Sequence, residues 1–233
     1  MKVLILKNAD QVGEKAASLV KKEIKKKPNL VLGLASGETM LPFFEYLILK
    51  KINFSKVTTF NLDEYLNFNK ENKESFYQFM QENLFKKINL KKSNINFLNG
   101  KQKNARKERQ NYELKIKKLG GIDIQILGIG RNGHIAFNEP GSSFNSKTRK
   151  VKLSQITRKD NSRFFPSLER TPTNALTMGI QTILKAKKII LLATGKHKAQ
   201  AIAKTILEKP NTKTPASALQ KHKDVTIILE EEA

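Results

Sequence analysis

Short runs of aliphatic and β-branched residues alternate along the chain with stretches whose apolar positions recur every three to four residues. Val3–Leu6 reads as a strand. Asp10 to Lys27 reads as a helix with Val12, Ala16, Leu19, Val20 and Ile24 on one stripe. Leu30–Leu34 is a second strand, followed by the turn Ala35–Thr39 and a helix to about Lys50. Val57–Asn61 is a third strand, and Ser75 to Ile88 a helix that turns Phe76, Phe79, Met80, Leu84 and Phe85 inward. Ile95–Leu98 predicts a short strand and Ala105–Leu119 a charged helix. In Ile122–Gly128, alternation decays into an apolar run, as in a strand covered on both faces. Strands follow at Val151–Leu153, Asn174–Met178, Ile189–Ala193 and Val225–Leu229, with a helix from Lys196 to Leu207.

Strand–helix alternation of this kind predicts one α/β domain over residues 1–233, Rossmann-like, with a mainly parallel sheet and helices on both faces. No Ser/Gly-rich linker divides the chain and no fixed-period repeat appears. Residues 141–173 break the alternation with Gly, Ser, Asn and Pro, and are expected to form a lid-like excursion.

Composition narrows the chemistry. The 233 residues include no Cys, so disulfides, thiolate metal sites and a Cys nucleophile drop out. Three His make a His-rich metal centre improbable on numbers alone. The N-terminus lacks the apolar run of a signal peptide, and no stretch is long enough for a membrane helix, so a cytoplasmic protein is expected. The net charge of +23 invites a nucleic-acid reading, yet only seven of the 44 basic residues are Arg. Base edges and phosphates are read mainly by Arg, whereas Lys clusters such as Lys21–Lys27 and Lys115–Lys118 suit solvated helix faces. A basic surface without nucleic acid is therefore expected, able to attract a small phosphorylated anion.

In parallel sheets, ligands bind beyond the carboxyl ends of the strands. Three polar segments follow predicted strands directly. Gly33–Thr39 can present backbone N–H groups and the hydroxyls of Ser36 and Thr39 around Gly37 to a phosphate, or Ser36 can simply cap the next helix. Phe60–Tyr65 ends in two carboxylates. Asp63 there can abstract a proton from carbon next to a carbonyl, or it can cap a short helix with Glu64 solvated. Gly128–Gly141 brackets Arg131 and Asn132 with glycines and sets His134 five residues before Glu139. A carboxylate that orients one imidazole nitrogen frees the other for proton transfer.

These segments resemble the glucosamine-6-phosphate deaminase family. Phe60–Tyr65, Glu74–Tyr77, Gly121–Asp123, Gly128–Ser143, Ser146–Arg149, Asn161–Phe165 and Ala175–Gly179 match its pattern in order and spacing, and the run Asn132–Pro140 is the most specific. The resemblance implies an amino-sugar catabolic reaction in which glucosamine 6-phosphate and water give fructose 6-phosphate and ammonia, with no cofactor and no metal. It assigns the ring-oxygen proton to His134, charge support to Glu139, a place in the same cluster to Asn132, and C2 proton removal to Asp63. Ser36, Gly37, Thr39, Arg163 and Lys198 match its phosphate partners.

Three departures accompany the match. Asn132 stands where some members carry Asp. Glu38 lies inside the phosphate turn, where an acid repels phosphate unless its side chain points away. The chain stops at Glu230–Ala233, where regulated members continue, and Val151 and Lys152 alter the nearby polar pattern, so an unregulated short form is expected. A 6-phosphogluconolactonase-type hydrolase or a sugar-phosphate-binding regulator without turnover are the competing readings. Phe137–Pro140 and Asp63–Tyr65 favour the deaminase over the first, and a retained base favours an enzyme over the second.

Overall fold

The computed structural model describes all 233 residues. In chain order the elements are β1 (Lys2–Leu6), α1 (Ala9–Lys26), β2 (Val31–Leu34), α2 (Leu41–Leu49), β3 (Thr58–Asn61), β4 (Asp63–Tyr65), α3 (Phe76–Asn83), β5 (Ile95–Asn96) and α4 (Ala105–Lys118). They continue with β6 (Ile124–Leu127), β7 (Arg149–Lys152), α5 (Gln155–Asn161), β8 (Asn174–Thr177), α6 (Ile180–Leu184), β9 (Lys188–Ala193), α7 (Ala199–Leu207) and β10 (Val225–Glu230). Short polar residues start several helices as the sequence implies. The side chains of Asn8, Ser75, Asn104 and Ser154 each accept a backbone N–H from the first turn of α1, α3, α4 and α5.

Seven strands form one sheet in the order β1-β10-β9-β6-β2-β3-β5, and every pairing in it is parallel. All four residues of β2 and of β6 are buried, as helices on both faces require. Connections from β1, β2 and β3 run towards the β5 edge, whereas those from β5, β6 and β9 run back towards β1. With right-handed crossovers, α1, α2 and α3 cover one face, and α4, α6 and α7 the other. The direction changes between β2 and β6, which are hydrogen-bonded neighbours. A crevice opens beyond their carboxyl ends. A cluster of 49 buried hydrophobics forms the main core, and Tyr65, Phe137, Leu153 and Ala175 form a small second one. The α1–α2 crossing within the main core is close: a Cβ on Gly13 would lie 2.5 Å from the Pro42 backbone carbonyl carbon.

Two predicted strands are not in this sheet. Val151 and Asn174–Thr177 belong to β7 and β8, which pair antiparallel in a second, three-stranded sheet of order β4-β8-β7. The third member, β4, begins at Asp63, so the helix-cap reading of Asp63 is corrected. Asp63 pairs with Thr177, and Thr177 pairs on its other side with Arg149. Tyr65 packs among Phe68, Phe76, Phe137 and Phe165, its ring stacked 4.7 Å from that of Phe76. Phe165 ties residues 141–173 to this cluster. That segment holds β7, α5 and a 3-10 turn at Ser162–Phe164.

Candidate active site

The loops after β2, β3, β6 and β9 converge with α5 around a cleft of about 530 Å³. Its lining includes Ser36, Gly37, Thr39, Asp63, His134, Arg163 and Lys198, contributed by five separate stretches of chain. Asn132 and Glu139 stand behind His134. All nine candidate residues therefore gather at the β2/β6 crevice.

The loop after β6 folds tightly over small residues. Gly133 has φ +82°, and the amide N–H of Gly130 donates to the His134 carbonyl at 2.9 Å. A Cβ on Gly130 would lie 2.0 Å from His134 Cε1 and 2.1 Å from Nδ1, so only glycine leaves room for the imidazole here. His134 Nδ1 is 2.7 Å from Asn132 Oδ1, while Asn132 Nδ2 donates to Glu139 Oε2 at 2.9 Å. Glu139 Oε2 itself is 3.8 Å from His134 Nδ1. The sequence expectation of a direct Glu139–His134 hydrogen bond is thus corrected: Asn132 stands between them.

This interposition settles the proton positions. A carboxylate only accepts, so the Asn132 NH₂ must face Glu139 and its carbonyl must face the ring. The backbone N–H of His134 also donates to Asn132 Oδ1, at 3.2 Å. A carbonyl cannot donate, so Nδ1 carries the hydrogen and Nε2 keeps its lone pair. Burial lowers the His134 pKa, opposed by the Glu139 charge and reinforced by Lys198. A neutral imidazole with a free Nε2 is a proton acceptor.

Asp63 is 7 % exposed and Glu64 3 %. Burial, with a smaller contribution from the Glu64 charge, raises the Asp63 pKa to about 8. Glu64 is not solvated, as one sequence reading had it. Its Oε1 accepts the N–H of Tyr65 at 2.8 Å and of Phe76 at 3.1 Å, and its Oε2 that of Tyr77 at 3.0 Å. It thereby satisfies the exposed N–H groups at the start of α3 and pins that helix beside Asp63. Burial carries its pKa to about 7 against the pull of these three bonds.

The opposite end of the cleft is cationic. Gly37 turns at φ +113°, with open space where a Cβ would stand. Ser36 caps nothing: its buried hydroxyl has no protein partner, and the turn that follows has no side-chain cap. An unsatisfied hydroxyl beside a glycine turn fits an anion site. Lys198 lies at the N-cap of α7. Burial and the neighbouring Arg131 and Arg163 lower its pKa, against Asp160. Arg131 is paired with Asp160 at 3.3 Å and Arg163 with Glu38 at 3.0 Å.

Several supporting residues escaped the sequence reading. Arg149 donates to Asn138 Oδ1 at 2.7 Å and to Ser142 Oγ at 3.1 Å. Asn138 Nδ2 in turn donates to the carbonyls of Ile135 and Met178, both at 2.9 Å. The N–H of Ser154 donates to Glu139 Oε1 at 3.3 Å. These bonds lock the His134–Glu139 loop onto β7 and β8. Both strands were visible in the sequence, but their pairing was not.

A family profile described as glucosamine-6-phosphate isomerases/6-phosphogluconolactonase matches residues 7–228. The chain belongs to this family. Within it, the chain is 51 % identical to a glucosamine-6-phosphate deaminase of Clostridium novyi, covering 100 % of this chain and 98 % of that protein. It is 50 % identical to one from Thermoanaerobacter sp., covering 100 % and 94 %. Among solved structures, a monomeric glucosamine-6-phosphate deaminase superposes with a TM-score of 0.97 at 42 % identity, covering 100 % of this chain and 98 % of that one. A 6-phosphogluconolactonase from Thermotoga maritima reaches 0.78 at 22 % identity over 98 % of each chain, which is likeness of fold.

Proposed function

We propose that the chain is a glucosamine-6-phosphate deaminase, an aldose–ketose isomerase that releases ammonia. The observation that carries this reading is one cleft holding a buried carboxylate, a tautomer-locked histidine and a cationic end, in a chain about half identical over its full length to deaminases. Neutral His134 takes the anomeric hydroxyl proton on Nε2 and returns it to the ring oxygen as the C1–O5 bond breaks. The Glu139 charge, transmitted through Asn132, stabilises the imidazolium that forms between the two transfers. Asp63 then removes the C2 proton of the open-chain sugar and gives it back at C1, while one proton of the C2 ammonium passes to O1 as the aldehyde becomes an alcohol. C2 is left as an iminium, to which water adds and from which ammonia departs.

Ser36, the Gly37 turn, Thr39, Arg163 and Lys198 hold the phosphate, with Lys198 a point charge at the start of α7. Residues 141–173 close over the substrate as a lid, since Thr157, Asp160, Asn161, Arg163 and Phe164 line the cleft from that side. A sugar phosphate does not cross lipid unaided, so the reaction belongs to the cytoplasm. No helix is long and apolar enough to cross a membrane.

Purified protein incubated with glucosamine 6-phosphate releases ammonia and fructose 6-phosphate in equal amounts. Hydrolysis of 6-phosphogluconolactone without ammonia release from the amino sugar refutes the assignment. Lys198→Ala raises KM about 30- to 150-fold, from the 2–3 kcal/mol of a desolvated charged contact. Unphosphorylated glucosamine serves as the control: an equal loss on both sugars shows that Lys198 acts on the fold.

A further inference from the structure

Glu38 is the one acid in the turn assigned to phosphate, and its carboxylate is not turned away from the site. Its Oε2 lies 3.0 Å from Arg163 Nη2, and both residues line the cleft. Glu38 opens the 3-10 turn after Gly37, while Arg163 sits in the 3-10 turn that closes α5. The pair therefore spans the mouth from the β2 loop to the proposed lid. Its side chains are 50 % and 59 % exposed, so the pair adds little to stability. Its effect falls on whatever anion needs the same guanidinium. Arg131 is likewise engaged, by Asp160, whereas Lys198 makes no ion pair.

We propose that Glu38 is an internal competitor for the substrate phosphate: its carboxylate occupies Arg163 until a phosphate group displaces it, and so sets how tightly phosphate is held. The inference rests on reading this end of the cleft as the phosphate site. The competition lies far from C1 and C2, so it weakens substrate and product alike. Uniform weakening of this kind raises KM and speeds product departure.

The test is calorimetric titration of inorganic phosphate into the full-length protein, its Glu38→Gln and Arg163→Ala variants, and the double variant. Glu38→Gln binds phosphate about two- to fivefold tighter, the range of an exposed ion pair, and its KM for glucosamine 6-phosphate falls by the same factor. Structural damage would loosen binding instead. In the Arg163→Ala background the Glu38→Gln gain disappears, because the contested group is gone. If Arg163→Ala weakens phosphate binding but Glu38→Gln does not tighten it, or tightens it equally without Arg163, the inference falls and the phosphate site stands. If Arg163→Ala leaves phosphate binding unchanged, the assignment of the site fails and takes the inference with it.

Discussion

Asp63→Asn abolishes turnover and raises the melting temperature. The amide keeps the shape of the side chain but cannot take the C2 proton, so kcat drops by at least about 10³-fold, with substrate affinity nearly retained. The stability gain follows from burial. Asp63 has a folded-state pKa of about 8 against an ordinary value of 3.8. The folded protein therefore keeps a proton that the unfolded chain gives up as pH rises above 4. The contribution of this one group is most favourable below that point and is lost progressively as pH climbs through about 8. Asn carries no such penalty. The variant should melt roughly 2–8 °C higher at neutral pH, equivalent to 1–2 kcal/mol in a chain of this length. Its advantage should grow towards pH 9 and shrink towards pH 5. Calorimetry across that range checks the sign. The same group shapes catalysis: kcat/KM rises with pH to a plateau above about 8, because only ionised Asp63 is a base. In the complex, the ammonium at C2 favours that ionised form, so the inflection in kcat lies lower.

Asn132→Leu is the second large effect. It removes the acceptor that keeps hydrogen on His134 Nδ1 and the donor that links Glu139 to it. The ring then samples both tautomers, and the charge behind it is left facing an apolar side chain. Misplacing a catalytic proton in this way costs roughly 10²- to 10⁴-fold in kcat/KM. Asn132→Asp restores the acceptor oxygen and should recover most of the rate. Equal damage from both substitutions would mean that residue 132 supports the loop rather than the proton. Pre-opened substrate analogues sharpen the comparison, since ring opening is the step at stake.

The main sheet was legible because β2 and β9 carry continuous apolar runs, and β6 and β10 runs broken only by Gln125 and Thr226, as strands covered on both faces do. Ser36, Gly37, Thr39, Asp63, Asn132, His134 and Glu139 were legible for a related reason, since polar segments directly after such strands meet at their carboxyl ends, whereas Arg163 and Lys198 came only from the family resemblance. The second sheet was not. Its strand β4 is three residues long, and two of those are acids that read as solvated or capping. Only the antiparallel partner β8, more than a hundred residues away, makes Asp63–Tyr65 a buried strand. Glu64 needed the first turn of α3 to explain its burial. The Asn132 bridge was hidden because a spacing of five from His134 to Glu139 suggests direct contact. The path through Gly133 and Ala136, with φ +82° and +49°, instead sets the carboxylate back by one amide. Glu38 was read as repelling phosphate, and its engagement with Arg163 depends on where the α5 segment folds back.

In this mechanism one buried carboxylate moves the proton from C2 to C1 before the amine leaves. Turnover of glucosamine 6-phosphate in D₂O, followed by proton NMR of the fructose 6-phosphate formed, tests it most directly. Hydrogen is added to one face of C1 only, and deuterium appears there to the extent that protonated Asp63 exchanges with D₂O before reprotonation; released ammonia equals the ketose formed, and Asp63→Asn gives neither product. Ammonia release that continues within tenfold of wild type in Asp63→Asn, or deuterium on both faces of C1, would contradict it.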